Sequence, residues 1–149
     1  MIKDACILQV EDDENDVFLL NHAFKTVGLS KLLRVVTDGG QAIDYLDGRG
    51  EFADRKRYAV TSLIILDLKL PRVSGFEVLH WLRHASALSH LPVIIFSSSA
   101  HPGDIDRAYG MGANSFVVKP STLHERAAFA RAIRDYWLQF NESPAACFE

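Results

Sequence analysis

Asp67 closes the apolar run Ser62-Leu63-Ile64-Ile65-Leu66 and opens Leu68-Lys69-Leu70-Pro71. A carboxylate where a buried strand runs out does nothing for packing. It suits chemistry at the carboxyl edge of a parallel sheet, where open α/β folds place their ligand sites. Two other expected strand ends carry matching groups: Glu11-Asp12 after Ile7-Leu8-Gln9-Val10, and Lys119 after Phe116-Val117-Val118. Carboxylates gathered at one edge repel and raise one another's pKa. A hard divalent cation resolves that conflict, and magnesium suits it, since it takes a few carboxylates and keeps waters for phosphate oxygens. Asp13 competes for a ligand role, because the run Glu11-Asp12-Asp13-Glu14 allows a one-residue slip. Protonated Lys119 is no metal ligand, but it can pair with Asp67 and later with a phosphoryl oxygen. A cis peptide at Pro120 is one way to aim that lysine inward. Ser97, at the end of Val93-Ile94-Ile95-Phe96, adds a hydroxyl. A carboxylate nucleophile, a metal, a cation and a hydroxyl donor together suit phosphorylation of Asp67.

Each group alone has a plainer reading. A Lys-Pro after a strand is usually a turn, and an isolated strand-end Asp is usually a cap or turn former. The acidic run from Glu11 to Asp16 fits a helix N-terminus, where negative charge complements the dipole. The argument rests on coincidence, with these groups falling in order on the first, third, fourth and fifth strands.

The elements that must position them alternate. After the first strand comes a helix with Val17, Leu20, Phe24 and Val27 on one face, stopped by Gly28. Leu32 to Val36 reads as a second strand, and Asp38 as the cap of a helix holding Ala42, Ile43, Tyr45 and Leu46. Residues 48–58 read as a charged loop or a helical extension. Ser74-Gly75 precedes an amphipathic helix carrying Phe76, Val78, Leu79 and Leu82. Val93 to Phe96 is apolar enough to be buried on both faces, as parallel strands are. A short helix follows Pro102, and a last helix carries Phe129, Ile133, Tyr136, Trp137 and Phe140. Five β-then-α units predict a doubly wound, five-stranded parallel sheet in a single domain over residues 5–140. Residues 141–149 read as a frayed tail, with no output domain after them.

The 149 residues suffice for one core, and at 48% hydrophobic and 23% charged the chain is globular. A net charge of -3 gives no case for nucleic acid or a membrane surface. Arg55-Lys56-Arg57, the one basic cluster, reads as a solvated loop rather than a phosphate patch. Cys6 and Cys147 form no metal-binding spacing. No window is apolar enough to span a membrane, and no signal peptide is evident, so the expected location is cytoplasmic.

These pieces resemble a response-regulator receiver domain of two-component signalling, over roughly residues 5 to 140. The matching residues are Val10-Glu11-Asp12, Leu66 to Pro71 with Gly75, Pro92 to Ser97, and Phe116 to Pro120. The resemblance implies a flavodoxin-like (βα)5 fold and a signalling protein rather than an enzyme. It implies that Asp67 accepts phosphoryl from a histidine kinase or phosphotransfer protein. It implies Mg2+ held by Asp12, Asp67 and the Lys69 carbonyl, with Glu11 acting through water. Lys119 then contacts the phosphoryl group, Ser97 moves to hydrogen-bond it, and Phe116 changes rotamer in step. Tyr45-Leu46, the long loop to strand three, Leu66 to Pro71, and Tyr136-Trp137-Leu138 are similar to the single-domain regulators paired with bacterial phytochromes. A phytochrome kinase is then a candidate partner, and a homodimer a candidate assembly. Ser97 stands where Thr is commoner, and Phe116 is an aromatic switch without a phenol. Lys69 stands at a position that tunes dephosphorylation in the family.

Other readings fit less well. Phosphatases of the haloacid dehalogenase type want a second Asp two residues after the nucleophile, where Lys69 stands. No GxxxxGK[ST] motif occurs, and Gly110-Met111-Gly112 precedes a strand instead of following one. His80 and His84 share a helix face without a third ligand, and His101 reads as a loop residue. A receiver-like binding module that is never phosphorylated is the alternative from a different class. The retained acids, Ser97 and Lys119 argue against it.

Overall fold

A computed structural model describes residues 5–85 and 87–143. Cys147 and the tail beyond residue 143 lie outside the described residues. Five parallel strands form one sheet in the order β2-β1-β3-β4-β5. They are β1 (Ile7–Val10), β2 (Leu33–Val36), β3 (Leu63–Leu66), β4 (Val93–Ser97) and β5 (Ser115–Val118). The helices between and after them are α1 (Glu14–Thr26), α2 (Gly39–Asp47), α3 (Gly75–His84), α4 (Pro102–Gly110) and α5 (Leu123–Ala132). This is the flavodoxin-like doubly wound order, which reverses direction at β1 and β3.

Strand residues alternate between two cores. Leu8, Val10, Ile64, Leu66, Val93 and Ile95 pack under α2, α3 and α4, with Leu46, Val78, Leu79 and Leu82. Ile7, Leu63, Ile65, Ile94 and Phe96 pack against Leu20, Ala23 and Phe24 of α1 and Ala130 of α5. Both faces of the central strands are therefore apolar, which is why β3 and β4 read as continuous runs.

Local chemistry sets the helix ends. Asp38 caps α2 by accepting from Gln41 N, and Ser74 with Glu77 forms a capping box on α3. Gly28, with φ 79°, takes the left-handed turn just past α1. The last helix continues past α5 as a π-wound segment, Ile133–Phe140, which keeps Ile133 buried and leaves Tyr136 and Phe140 exposed.

The charged stretch at residues 48–58 is more ordered than a solvated loop. Phe52 and Tyr58 enclose Tyr45, with ring centroids 5.1 and 6.1 Å from it. Arg55 donates to the Leu46 carbonyl at 3.2 Å and lies 5.6 Å from the centre of the Tyr45 ring. Arg57 sits 5.5 Å from the Tyr58 ring. Arg55 thus holds the loop against α2, while Arg57 packs within the loop.

Gly75 matters directly to the strand-end geometry. Its amide donates to the Leu68 carbonyl at 2.9 Å. A Cβ there would overlap the Asp67 carbonyl oxygen and sit 2.7 Å from Leu68 Cα. Backbone cannot swing aside as a flexible side chain can. Gly75→Ala is expected to lower stability by about 3 kcal/mol, at the upper end for overpacking. Urea unfolding measures it, and an unchanged midpoint would show that α3 can move away from β3 freely.

Candidate functional site

Register brings the strand ends level. Val10 pairs with Leu66, and Ser97 with Val118. The ladder extends one residue past the strands: Asp67 N donates to Val10 O at 3.1 Å, and Lys119 N to Ser97 O at 2.8 Å. Glu11 and Asp67 therefore emerge side by side on β1 and β3, and Lys119 leaves β5 at the same edge, its long side chain reaching back past β4. Carboxylate oxygens of Glu11, Asp12 and Asp67 lie within 4.8 Å of one another. Asp12 is exposed, whereas Glu11 and Asp67 are buried.

Lys119 supplies the counter-charge. Its Nζ lies 2.6 Å from Glu11 Oε1, 2.7 Å from Asp16 Oδ2 and 3.0 Å from Asp67 Oδ2. An ammonium has three donors, and three carboxylates meet them. Asp67 Oδ1 accepts from Leu68 N at 2.7 Å, so both Asp67 oxygens are fixed. Arg126 reaches in from α5, its Nη2 donating to Asp16 Oδ1 at 3.0 Å. Four carboxylates (Glu11, Asp12, Asp16, Asp67) thus face two cations (Lys119, Arg126), an excess of two negative charges. A hard divalent cation bound by carboxylate oxygens would offset that excess, so the donor set fits magnesium.

The charges show where strain lies. Burial raises the Glu11 carboxyl to about 7; Lys119 opposes the rise and Asp67 adds to it. Burial alone would raise Asp16, but Lys119 and then Arg126 hold it below the usual value. Burial would lower Lys119, but Asp16, Glu11 and Asp67 override it and push the ammonium upward. Between pH 4.5 and about 7, folded Glu11 keeps a proton that the unfolded chain gives up. Its contribution to stability therefore falls as pH rises through that window, by about 3 kcal/mol at most. Asp16 is held low and Lys119 high, so neither titrates there. Urea unfolding without divalent cation should show this fall, flattened by Glu11→Gln and by saturating Mg2+. An equally steep fall in Glu11→Gln would assign it to other groups.

Ser97 is buried at the end of β4, and its Oγ accepts from Ser99 N at 3.1 Å. Ser99 donates to Asp104 at 2.6 Å, which ties the β4 end to α4. Phe116 is half-buried against the core beneath α3 and α4, and its amide donates to Tyr109 Oη at 3.2 Å. Lys69 is exposed on the rim of a groove that includes Asp12, Pro71, Phe76 and Ser97.

Some sequence expectations are corrected here. Asp13 caps α1, accepting from Asn15 N and Asp16 N, and stands outside the carboxylate cluster. No described peptide bond is cis. Pro120 is trans with its carbonyl held by Arg126 Nε at 2.9 Å, and the fold aims Lys119 without an isomer change. His84 contacts the His80 carbonyl at 2.7 Å, and His101 caps α4 by accepting from Gly103 N. Asp16 and Arg126 went unassigned in the sequence. Arg126 offered a signal: it falls four residues before Ala130 and seven before Ile133, on the buried stripe of α5. A guanidinium at such a position needs an anion.

Comparison with known proteins agrees with this geometry. The response regulator receiver domain profile matches residues 7–130. The chain is 33% identical over 141 residues to the probable methanogenesis regulatory protein FilR2 of Methanothrix harundinacea, covering 93% of this chain and 86% of that one. It is 31% identical over 140 residues to the response regulator Rcp1 of Synechocystis, covering 94% and 93%. The crystal structure of the phosphorylated cyanobacterial phytochrome response regulator RcpA superposes with a TM-score of 0.84 at 30% identity, covering 95% of this chain and 99% of that one. The Mn(2+)-bound form of Rcp1 gives 0.82 at 29% identity, with the same coverage. With the level strand ends, the acidic cluster and the profile match in agreement, the chain belongs to the response regulator receiver domain family of two-component signalling.

Proposed function

We propose that this chain accepts a phosphoryl group on Asp67 from a histidine kinase or phosphotransfer protein, with Mg2+ required. The observation that carries the reading is the placing of Lys119 Nζ 3.0 Å from Asp67 Oδ2, beside the carboxylates of Glu11 and Asp12. In the transfer an Asp67 oxygen bonds to phosphorus as the phosphorus–nitrogen bond of the phosphohistidine breaks, and the imidazole recovers its electron pair and a proton. Asp12, Asp67 and the Lys69 carbonyl would hold the metal, with Glu11 acting through water; bound there, it would screen the carboxylates from the incoming anion. Lys119 turns a donor to a phosphoryl oxygen, Ser97 moves to donate from its hydroxyl, and Phe116 changes rotamer in step.

The chain is in this reading a signalling component and not a catalyst of turnover. Its kinase is of phytochrome type, supported by the likeness to the cyanobacterial phytochrome response regulator RcpA. Its output surface is the face formed by α4, β5 and α5, where Tyr109 and Val118 are exposed, with Tyr136 exposed on the π-wound continuation of α5, and a second copy or a target protein binds there. Intact-mass measurement after incubation with acetyl phosphate tests the core of the proposal. One added phosphoryl group with Mg2+, and none with chelator, is the expected result. No adduct under either condition would leave a binding module that acts without phosphorylation.

A further inference from the structure

One guanidinium grips Lys119 from two sides. Arg126 Nε donates to the Pro120 carbonyl at 2.9 Å, and Nη2 donates to Asp16 Oδ1 at 3.0 Å. The other Asp16 oxygen takes the Lys119 ammonium at 2.7 Å. The contacts close a ring: Lys119 to Pro120 along the chain, across to Arg126, on to Asp16, and back to Lys119 Nζ. Arg126 is only 6% exposed, and the Asp16 side chain 16%. The guanidinium carbon lies 5.8 Å from the Phe96 ring, next to Ser97.

Packing does not explain the pair. Leu20, Ala23, Phe24, Ala130 and Ile133 already join α1 and α5 to the sheet. Apolar replacements of a buried ion pair are often neutral or stabilising. Asp16 also lies outside the cluster of Glu11, Asp12 and Asp67, and both its oxygens are committed elsewhere.

We propose that Asp16 and Arg126 are positioning residues for phosphoryl transfer: Asp16 fixes the Lys119 ammonium, and Arg126 fixes both Asp16 and the turn that carries Lys119. The proposal rests on Asp67 being the phosphoacceptor. A lysine stem is long and flexible, so an untethered ammonium wanders. A cation engages Glu11, and a phosphoryl group changes what Asp67 offers. Asp16 is the partner that persists through both events. Loss of groups that orient reactive ligands in this way typically costs about 10–100-fold in activity.

The test measures initial phosphoryl uptake from acetyl phosphate against Mg2+ concentration. The proteins are wild type, Asp16→Asn, Arg126→Gln, and the double variant, which leaves no buried charge unpaired. The rate at saturating Mg2+ is expected to fall about 10-fold or more in each. The Mg2+ concentration at half-rate is expected to stay within about threefold of wild type. On a Lys119→Met background, adding Asp16→Asn should cause little further loss, because the two act through one ammonium. In 15N NMR the Lys119 ammonium should exchange slowly in wild type and rapidly in Asp16→Asn.

Unchanged rates in the folded variants overturn the proposal and leave the phosphoacceptor reading intact. A shift in Mg2+ dependence alone overturns it by placing Asp16 on the metal side. Full additivity with Lys119→Met overturns it by reducing Asp16 to a fold contact. A wild-type chain that takes up no phosphoryl group overturns the reading beneath it, and the proposal with it.

Discussion

Asp67→Asn is expected to take up no phosphoryl group while keeping the fold. An amide oxygen can still accept from Leu68 N, the 2.7 Å bond that fixes Oδ1. Lys119 keeps Glu11 and Asp16, its two shorter contacts at 2.6 and 2.7 Å. What is lost is the nucleophilic carboxylate and one of three oxygens able to share a cation. Uptake should therefore fall below detection rather than by a modest factor, and Mg2+ should bind about 10-fold or more weakly. Asp67 is also among the groups that raise Glu11, so Glu11 should ionise at lower pH in this variant. Intact mass, calorimetric Mg2+ titration and a pH titration check these outcomes. An adduct that persists in Asp67→Asn would move the acceptor elsewhere.

Lys119→Met carries the largest expected effect on stability. It removes the cation shared by Glu11, Asp16 and Asp67, whose side chains are 2%, 16% and 9% exposed. Breaking a buried pair by deleting one partner costs about 3–5 kcal/mol, because the other charge stays behind. Here several acids are left together, and Arg126 neutralises only Asp16. Two relaxations soften the loss: Glu11 can take a proton, or a divalent cation can take over the neutralisation. Saturating Mg2+ should therefore restore more stability to Lys119→Met than it adds to wild type. Urea unfolding with and without Mg2+ measures the difference. Equal Mg2+ effects on both proteins would show that the metal does not share the charge cluster with Lys119.

The legible part of the sequence was the part that follows from chain-local physics. Fully apolar β3 and β4 announce a parallel sheet, because helices cover both faces. Once the strands are ordered, Glu11, Asp67 and Lys119 share one sheet edge, since each is the first residue past its strand, and the lysine is long enough to reach back past β4. Asp38 and Ser74 were readable as caps and act as caps. Arg55-Lys56-Arg57 read as solvated from their charges, yet the loop that carries them is ordered. Its order comes from Tyr45, Phe52 and Tyr58 meeting across a turn, which no local period reports. Asp16 looked like one more helix N-terminal acid. Its role depends on Arg126, 110 residues away in sequence, entering from α5. Asp12 and Asp13 could not be separated by type. The start of α1 at Glu14 decides between them, since it makes Asp13 the cap.

The most direct measurement of the central claim is the position of the phosphoryl group. Wild-type protein is treated with acetyl phosphate and Mg2+, reduced with borohydride, digested and sequenced by tandem mass spectrometry. Reduction of an aspartyl phosphate leaves homoserine. Homoserine at position 67, and absent without Mg2+, is the predicted result. Modification at Asp12, Glu11 or Asp16 instead, or no modified residue at all, would contradict the account.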